Sequence, residues 1–149
     1  MRSSFHHRKR GGFTLIEVAA VLVILGILAA VAVARLTSTA SYSVISEAEI
    51  LKTHFRFAQM KALSDVNATW GIAVAAGSYT LQNNGAEAAI ILPGAESATH
   101  SFPSGVSSTA QTITFDTWGS PGDADLTLTL SGGGESATIT ITRNTGFIP

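Results

Sequence analysis

A chain of 149 residues without cysteine has room for one domain and an appendage, and it can build neither a disulfide frame nor a thiolate metal site. Its formal net charge of −1 is unevenly spread: Arg2, Arg8, Lys9 and Arg10 crowd the first twelve positions, and from Phe13 onward five basic residues face ten acidic ones. That acidic remainder argues against nucleic acid as a partner, because binding phosphates requires clustered Lys and Arg.

In chain order, residues 1–12 are a basic tip and residues 13–35 an apolar segment. From Phe13 to Ala34 there are 22 residues with a single charge, Glu17. As a helix rising 1.5 Å per residue they cover about 33 Å, which matches the roughly 30 Å hydrocarbon core of a bilayer. A basic tip ahead of such a run stays on the cytoplasmic side. A soluble core helix does not fit, since every face is apolar and no polar stripe exists. An ordinary secretory signal with an A-x-A-like site at Ala32 and Ala34 is the rival reading. Against it, the run exceeds the usual apolar length of about 7–15 residues and contains Glu17. A carboxylate at that place costs roughly 2.5–3.5 kcal/mol on insertion scales and needs a compensating partner.

The junction "GGFTLIEV" (residues 11–18), with the basic residues before it and the apolar run after it, resembles the cleavage motif of type IV prepilins and type II secretion pseudopilins. The resemblance implies that a membrane-bound aspartic prepilin peptidase cuts after Gly12 and methylates the amine of Phe13. It implies further that the Glu17 carboxylate of one subunit pairs with the Phe13 amine of a neighbour during assembly. In low dielectric that attraction is large and an unpaired partner is penalised. In the family the tip-most subunit typically lacks this glutamate, so Glu17 implies a place below the tip. Many pilins carry proline where this chain has Ala34; alanine favours helix, so no proline kink is expected there.

Composition changes near residue 70: eleven of the fourteen glycines and all four prolines lie beyond it. Before it, Val44, Ala48, Leu51, Phe55, Ala58 and Ala62 recur at spacings of four and three, with Glu47, Glu49, Lys52, Arg56 and Lys61 largely off that stripe. This predicts one helix from Phe13 to about Ser64. Its amphipathic continuation covers residues 36–66, packs on the following domain, and exits at Asp65–Asn67.

Residues 67–149 alternate at period two and read as a β-rich head. "TWGIAVA" and "SYTLQN" flank a glycine-bearing turn, and "AAIIL" is a short apolar strand ending at Pro93-Gly94. "QTITFDTW" alternates through Ile113 and Phe115. "LTLTLS" and "ATITITR" place Leu126, Leu128 and Leu130 opposite Ala137, Ile139 and Ile141 across a "GGGE" hairpin, with Thr on the wet face. The fold class is therefore α+β: one long N-terminal helix, membrane-spanning in its first half, packed against a C-terminal antiparallel sheet domain. "FRFAQMKAL", "ITFDTWGSPG" and "RNTGFI" are similar to stretches of minor pseudopilins of the H and fimbrial T-like group, and of minor pilins of mannose-sensitive haemagglutinin-type pili.

Catalytic patterns are missing. His6 and His7 lie in the basic tip, and His54 and His100 stand far apart without metal-ligand spacing. There is no G-x-S-x-G elbow, and "SGGGES" lacks the context of a phosphate loop. Asp116, Asp123 and Asp125 in "DTWGSPGDAD" could offer oxygen ligands to calcium, but their spacing fits no calcium loop, and Asp and Gly are ordinary turn residues. No cofactor or metal is expected. Trp70 and Trp118 are expected in the core, with exposed adhesion contacts as the alternative.

The sequence thus reads as a structural, non-enzymatic subunit, a minor pilin or pseudopilin of a type IV pilus or type II secretion pseudopilus. The resemblance implies, as partners, the prepilin peptidase, other pilins or pseudopilins and the inner-membrane assembly platform. It places the subunit in the bacterial inner membrane as a single-pass precursor with its head in the periplasm, then in the filament. The alternatives are a major pilin, or a periplasmic binding domain, secreted or membrane-anchored, with an ordinary signal sequence.

Overall fold

A computed structural model describes residues 14–149, and within its helix the side chains of residues 32–42 lie outside the description. The chain divides into two compact units, residues 1–36 and residues 37–149.

One helix, α1 (Leu15–Ser64), contributes to both units. Thr14 starts it: its carbonyl accepts from the amides of Glu17 (3.1 Å) and Val18 (3.2 Å), and its hydroxyl accepts from Glu17 N at 3.3 Å. That is an N-cap serving amides that have no partner inside the helix, with Glu17 at the third helical position, where the partial positive charge of the helix end favours a carboxylate. In the first unit, the apolar side chains from Leu15 to Leu28 and Val31 stand exposed. Among the described residues no helix is long and apolar enough to cross a membrane. The described apolar side chains stop at Val31, about 25 Å of helix, and Ala32 to Ala34 of the apolar run fall outside them.

In the second unit the helix buries the stripe Val44, Ala48, Leu51, Phe55, Ala58 and Ala62, as its spacing requires. The helix ends where Ser64 Oγ donates to Lys61 O and Asp65 Oδ1 accepts from Asn67 N, in the predicted exit. Two antiparallel sheets complete the core. The larger runs in the order β3 (Ala86–Glu87), β2 (Ser78–Asn83), β1 (Trp70–Val74), β6 (Gln111–Phe115), with β4 (Thr99–Ser101) also pairing with β2. The smaller orders β5 (Ser107–Ser108), β7 (Leu126–Gly132) and β8 (Glu135–Ile141). Its register sets Leu126 against Ile141, Leu128 against Ile139 and Leu130 against Ala137, the predicted apolar face.

Three features differ from expectation. Residues 88–92 form no strand. Ala88 and Leu92 are buried while Ile91 is 61% exposed, and the flank of β2 that they would need is already taken by β3 and β4. The strands β3, β4 and β5 are too short to show an alternation. β2 and β3 are joined by a tight turn at Asn84 (φ 53°) and Gly85 (φ 79°), both in the left-handed region that such hairpins require.

Candidate functional site

Gly12 and Phe13, the predicted cleavage junction and methylation site, lie outside the described residues. Glu17 is described: it sits in the first turn of α1, and with Val18, Val21 and Leu22 it lines a shallow groove on the helix. From Leu15 to Val31 it is the one ionisable side chain, so any partner that covers this helix must meet a carboxylate.

The second polar centre lies inside the head. Glu47 and His54 are seven residues apart on α1, two turns along one side, and both are buried, Glu47 at 7% and His54 at 3% exposure. β2 brings Tyr79 and β4 brings His100, which face each other across the β2–β4 pairing. His100 Nε2 donates to Glu47 Oε2 at 3.0 Å. His54 Nε2 lies 3.0 Å from Pro93 O, and His54 Nδ1 lies 2.7 Å from the Tyr79 hydroxyl. A carbonyl can only accept, so Nε2 carries the hydrogen and the Nδ1 lone pair accepts from Tyr79. The rings lie close, edge-on or tilted: His54 to His100 at 6.2 Å, Tyr79 to His100 at 5.0 Å, and Tyr79 to Phe102 at 5.5 Å between centroids. Burial holds the His54 imidazole below its ordinary pKa; the Pro93 carbonyl opposes this, His100 adds to it, and Glu47 partly offsets it. Burial, then Glu47, raises the Tyr79 phenol.

The two histidines therefore do not stand alone, and Glu47 is not a solvated neighbour of the apolar stripe. An isolated histidine carries no pattern, but Glu47 and His54 at a spacing of seven could have been read as sharing a face; Tyr79 and His100 meet them only through sheet pairing. Among the described residues no group of three or more His, Cys, Asp or Glu could hold a metal ion.

The remaining candidates serve the scaffold. Asp116 Oδ1 accepts from Trp118 N (2.8 Å) and Ser120 N (2.9 Å), and Asp125 Oδ1 accepts from Arg143 N (2.8 Å), so these two carboxylates cap turns. Trp70 is buried and its indole donates to Asp65. Trp118, expected in the core, is 84% exposed, because the turn capped by Asp116 directs it outward. Gln59 Nε2 donates to both Gly119 O (2.9 Å) and Thr145 O (3.0 Å), and Arg56 donates to Ile148 O (2.9 Å), so polar groups of the helix hold two loops and the last residues.

Comparison with known proteins adds two matches. A family model described as prokaryotic N-terminal methylation motif matches residues 7–33, the stretch around the Gly12–Phe13 junction and Glu17. A second, described as type II transport protein GspH, matches residues 47–145, nearly the whole head with its buried polar centre. No curated protein and no solved structure matches the chain. With well over half of its length matched by the one model and its N-terminal segment by the other, the chain belongs to the type II transport protein GspH family, and it is a minor pseudopilin or pilin, a structural subunit of a type II secretion or type IV pilus filament.

Proposed function

We propose that this subunit is stored in the inner membrane as a single-pass precursor. There it is cut after Gly12 and N-methylated at Phe13 by a prepilin peptidase, and then built by the inner-membrane assembly platform into a pseudopilus beside other pseudopilins. The leader is residues 1–12, the segment that spans and polymerises is residues 13–35, residues 36–66 continue the helix, and residues 67–149 are the head presented in the periplasm. The observation that carries this reading is Glu17, a lone carboxylate in the first helical turn of an apolar segment whose side chains are otherwise free to be covered.

Cleavage would leave an ammonium one residue before the Thr14 cap. In a stack of such helices, the Glu17 carboxylate of one subunit meets the Phe13 ammonium of the next. The cost of each ion alone in apolar surroundings becomes a drive toward one axial register. The test is Glu17→Val expressed beside the native protein. Insertion should become easier, by the removal of a charge costing roughly 2.5–3.5 kcal/mol. Cleavage should persist, and recovery in sheared filaments should fall sharply, because an amine would be buried without a partner. Equal recovery of both forms in filaments would refute the pairing.

A further inference from the structure

Exposed apolar side chains of the head gather where two loops touch the end of α1. Gln59 Nε2 donates to Gly119 O and to Thr145 O, and a Cβ on Gly119 would lie 3.3 Å from Leu63 Cδ2. The turn 116–120, the segment 142–147 and the last turns of α1 therefore meet around Gln59. The side chains next to those meeting points stand outward: Trp118 is 84% exposed, Phe147 63%, Met60 55% and Leu63 54%. We propose that this patch is a docking surface for the head of the adjoining filament subunit, with Trp118 as its anchor and a basic rim on the partner. The proposal rests on incorporation into a filament and is independent of the pairing of Glu17 with Phe13.

Trp118 is held out on a fixed backbone. Asp116 accepts from Trp118 N and Ser120 N through Oδ1 and from Gly119 N through its carbonyl, and its own N donates to Ser120 O, all at 2.8–2.9 Å. The indole takes no part in the core, yet the turn beneath it is closed on every side. Single exposed apolar residues are ordinary; four gathered at one place mark an interaction surface. Covering a side chain on a preset backbone costs less ordering than covering one on a loose loop. Trp is also among the residues that most often anchor protein interfaces, where a few central side chains carry most of the binding.

Charge and continuity select the occupant. The stretches 116–125 and 142–147 carry Asp116, Asp123 and Asp125 against Arg143. They repel the anionic surface of a bilayer and favour a partner with Lys or Arg around its contact face. Met60 and Leu63 belong to α1, the same helix whose exposed apolar first part is assigned above to polymerisation. The element that gathers subunits thus also presents this patch, and the protein surface it meets in a filament is a neighbour's head.

The chain has no cysteine, so a thiol can be placed beside the patch without touching its anchor. The probes are Thr117→Cys, exposed next to Trp118, and Glu135→Cys, exposed in the β7–β8 hairpin. Each is made in the full chain, in cells that assemble the filament, and labelling by a maleimide–polyethylene glycol is compared between membrane-bound and sheared-filament fractions. In membranes both thiols should label. In filaments Thr117→Cys should lose most of its labelling while Glu135→Cys keeps it. Trp118→Ala should leave the urea midpoint unchanged, because the side chain is exposed, and should lower recovery in filaments about tenfold or more, the loss expected of an anchor. Equal labelling of Thr117→Cys in filaments and membranes, or native recovery of Trp118→Ala, would overturn the docking surface and leave assembly itself standing. Equal loss at both thiols would mean general crowding, and protection already present in the membrane fraction would place the patch on the bilayer or the assembly platform; either overturns it. Absence of the native chain from filaments would overturn it together with the proposed function.

Discussion

Phe55→Ala is the sharpest probe of how the helix holds the head. Phe55 is fully buried, and it sits at the middle of the stripe that runs from Val44 to Ala62. An aromatic side chain buries about 150–250 Å², and at about 25 cal/mol per Å² that corresponds to roughly 4–6 kcal/mol as an upper figure. Measured Phe→Ala losses in cores fall at about 3–5 kcal/mol, since the transfer loss and the cavity add while some collapse is recovered. Against a typical domain stability of about 5–15 kcal/mol, the variant should remain folded but with a much lower urea midpoint. The reporter is built in: Trp70 is buried and Trp118 is exposed, so the fluorescence change on unfolding comes from Trp70. A midpoint unchanged from the native protein, with the same slope, would refute the idea that this face of α1 is packed on the sheets.

Gly71→Ala should also destabilise the head, by about 1–3 kcal/mol or more, because an added Cβ would overlap Ile113 O and lie 2.8 Å from Thr114 Cα, both backbone atoms that cannot swing aside; urea unfolding measures it. Gly12→Leu should leave the precursor uncut, read by intact mass in membranes, whereas the native protein should show an N-methylated Phe13; an N-terminus at Val33 or Arg35 would instead establish the secretory-signal reading. Stability should fall as pH drops below about 6.5. The folded His54 binds its proton less readily than the unfolded one, so the unfolded state holds more protons below that pH. Its contribution is thus fully present above that pH and declines beneath it, with a slope of at most about 1.4 kcal/mol per pH unit. Melting temperatures across pH 5–7.5 check this, and His54→Gln should flatten the curve.

Much of the architecture was legible because two periods dominate the chain. The helical stripe from Val44 to Ala62 and the pairing of Leu126–Leu130 with Ala137–Ile141 are local patterns, and local patterns survive without knowledge of the fold. Asn84-Gly85 is also a strong local hairpin signal, but the strand after it, Ala86–Glu87, is too short to show an alternation. The apolar "AAIIL" misled because a strand needs a free edge as well as apolar side chains, and which edges are free depends on long-range order. The polar centre was hidden for the same reason. His100 reaches Glu47 across 53 positions, and Tyr79 reaches His54 across 25. Trp118 illustrates a third limit: a large aromatic is buried by default, but a turn capped by Asp116 overrides the default.

The ties from Arg56 to Ile148 and from Gln59 to Thr145 span 92 and 86 positions, and this sets a clock on biogenesis. When the ribosome has just added Arg56, the partner of that guanidinium is still 92 codons away. At about 5–20 residues per second this is an interval of roughly 5–18 s. At its start Val44, Leu51 and Phe55 have been synthesised but the strands that cover them have not; these are added one by one from Trp70 to Ile141 as it proceeds. The nascent chain therefore passes through a stage in which a greasy helix face is open to water or to other chains, and a folding helper that shields that face would be needed before the sheets exist.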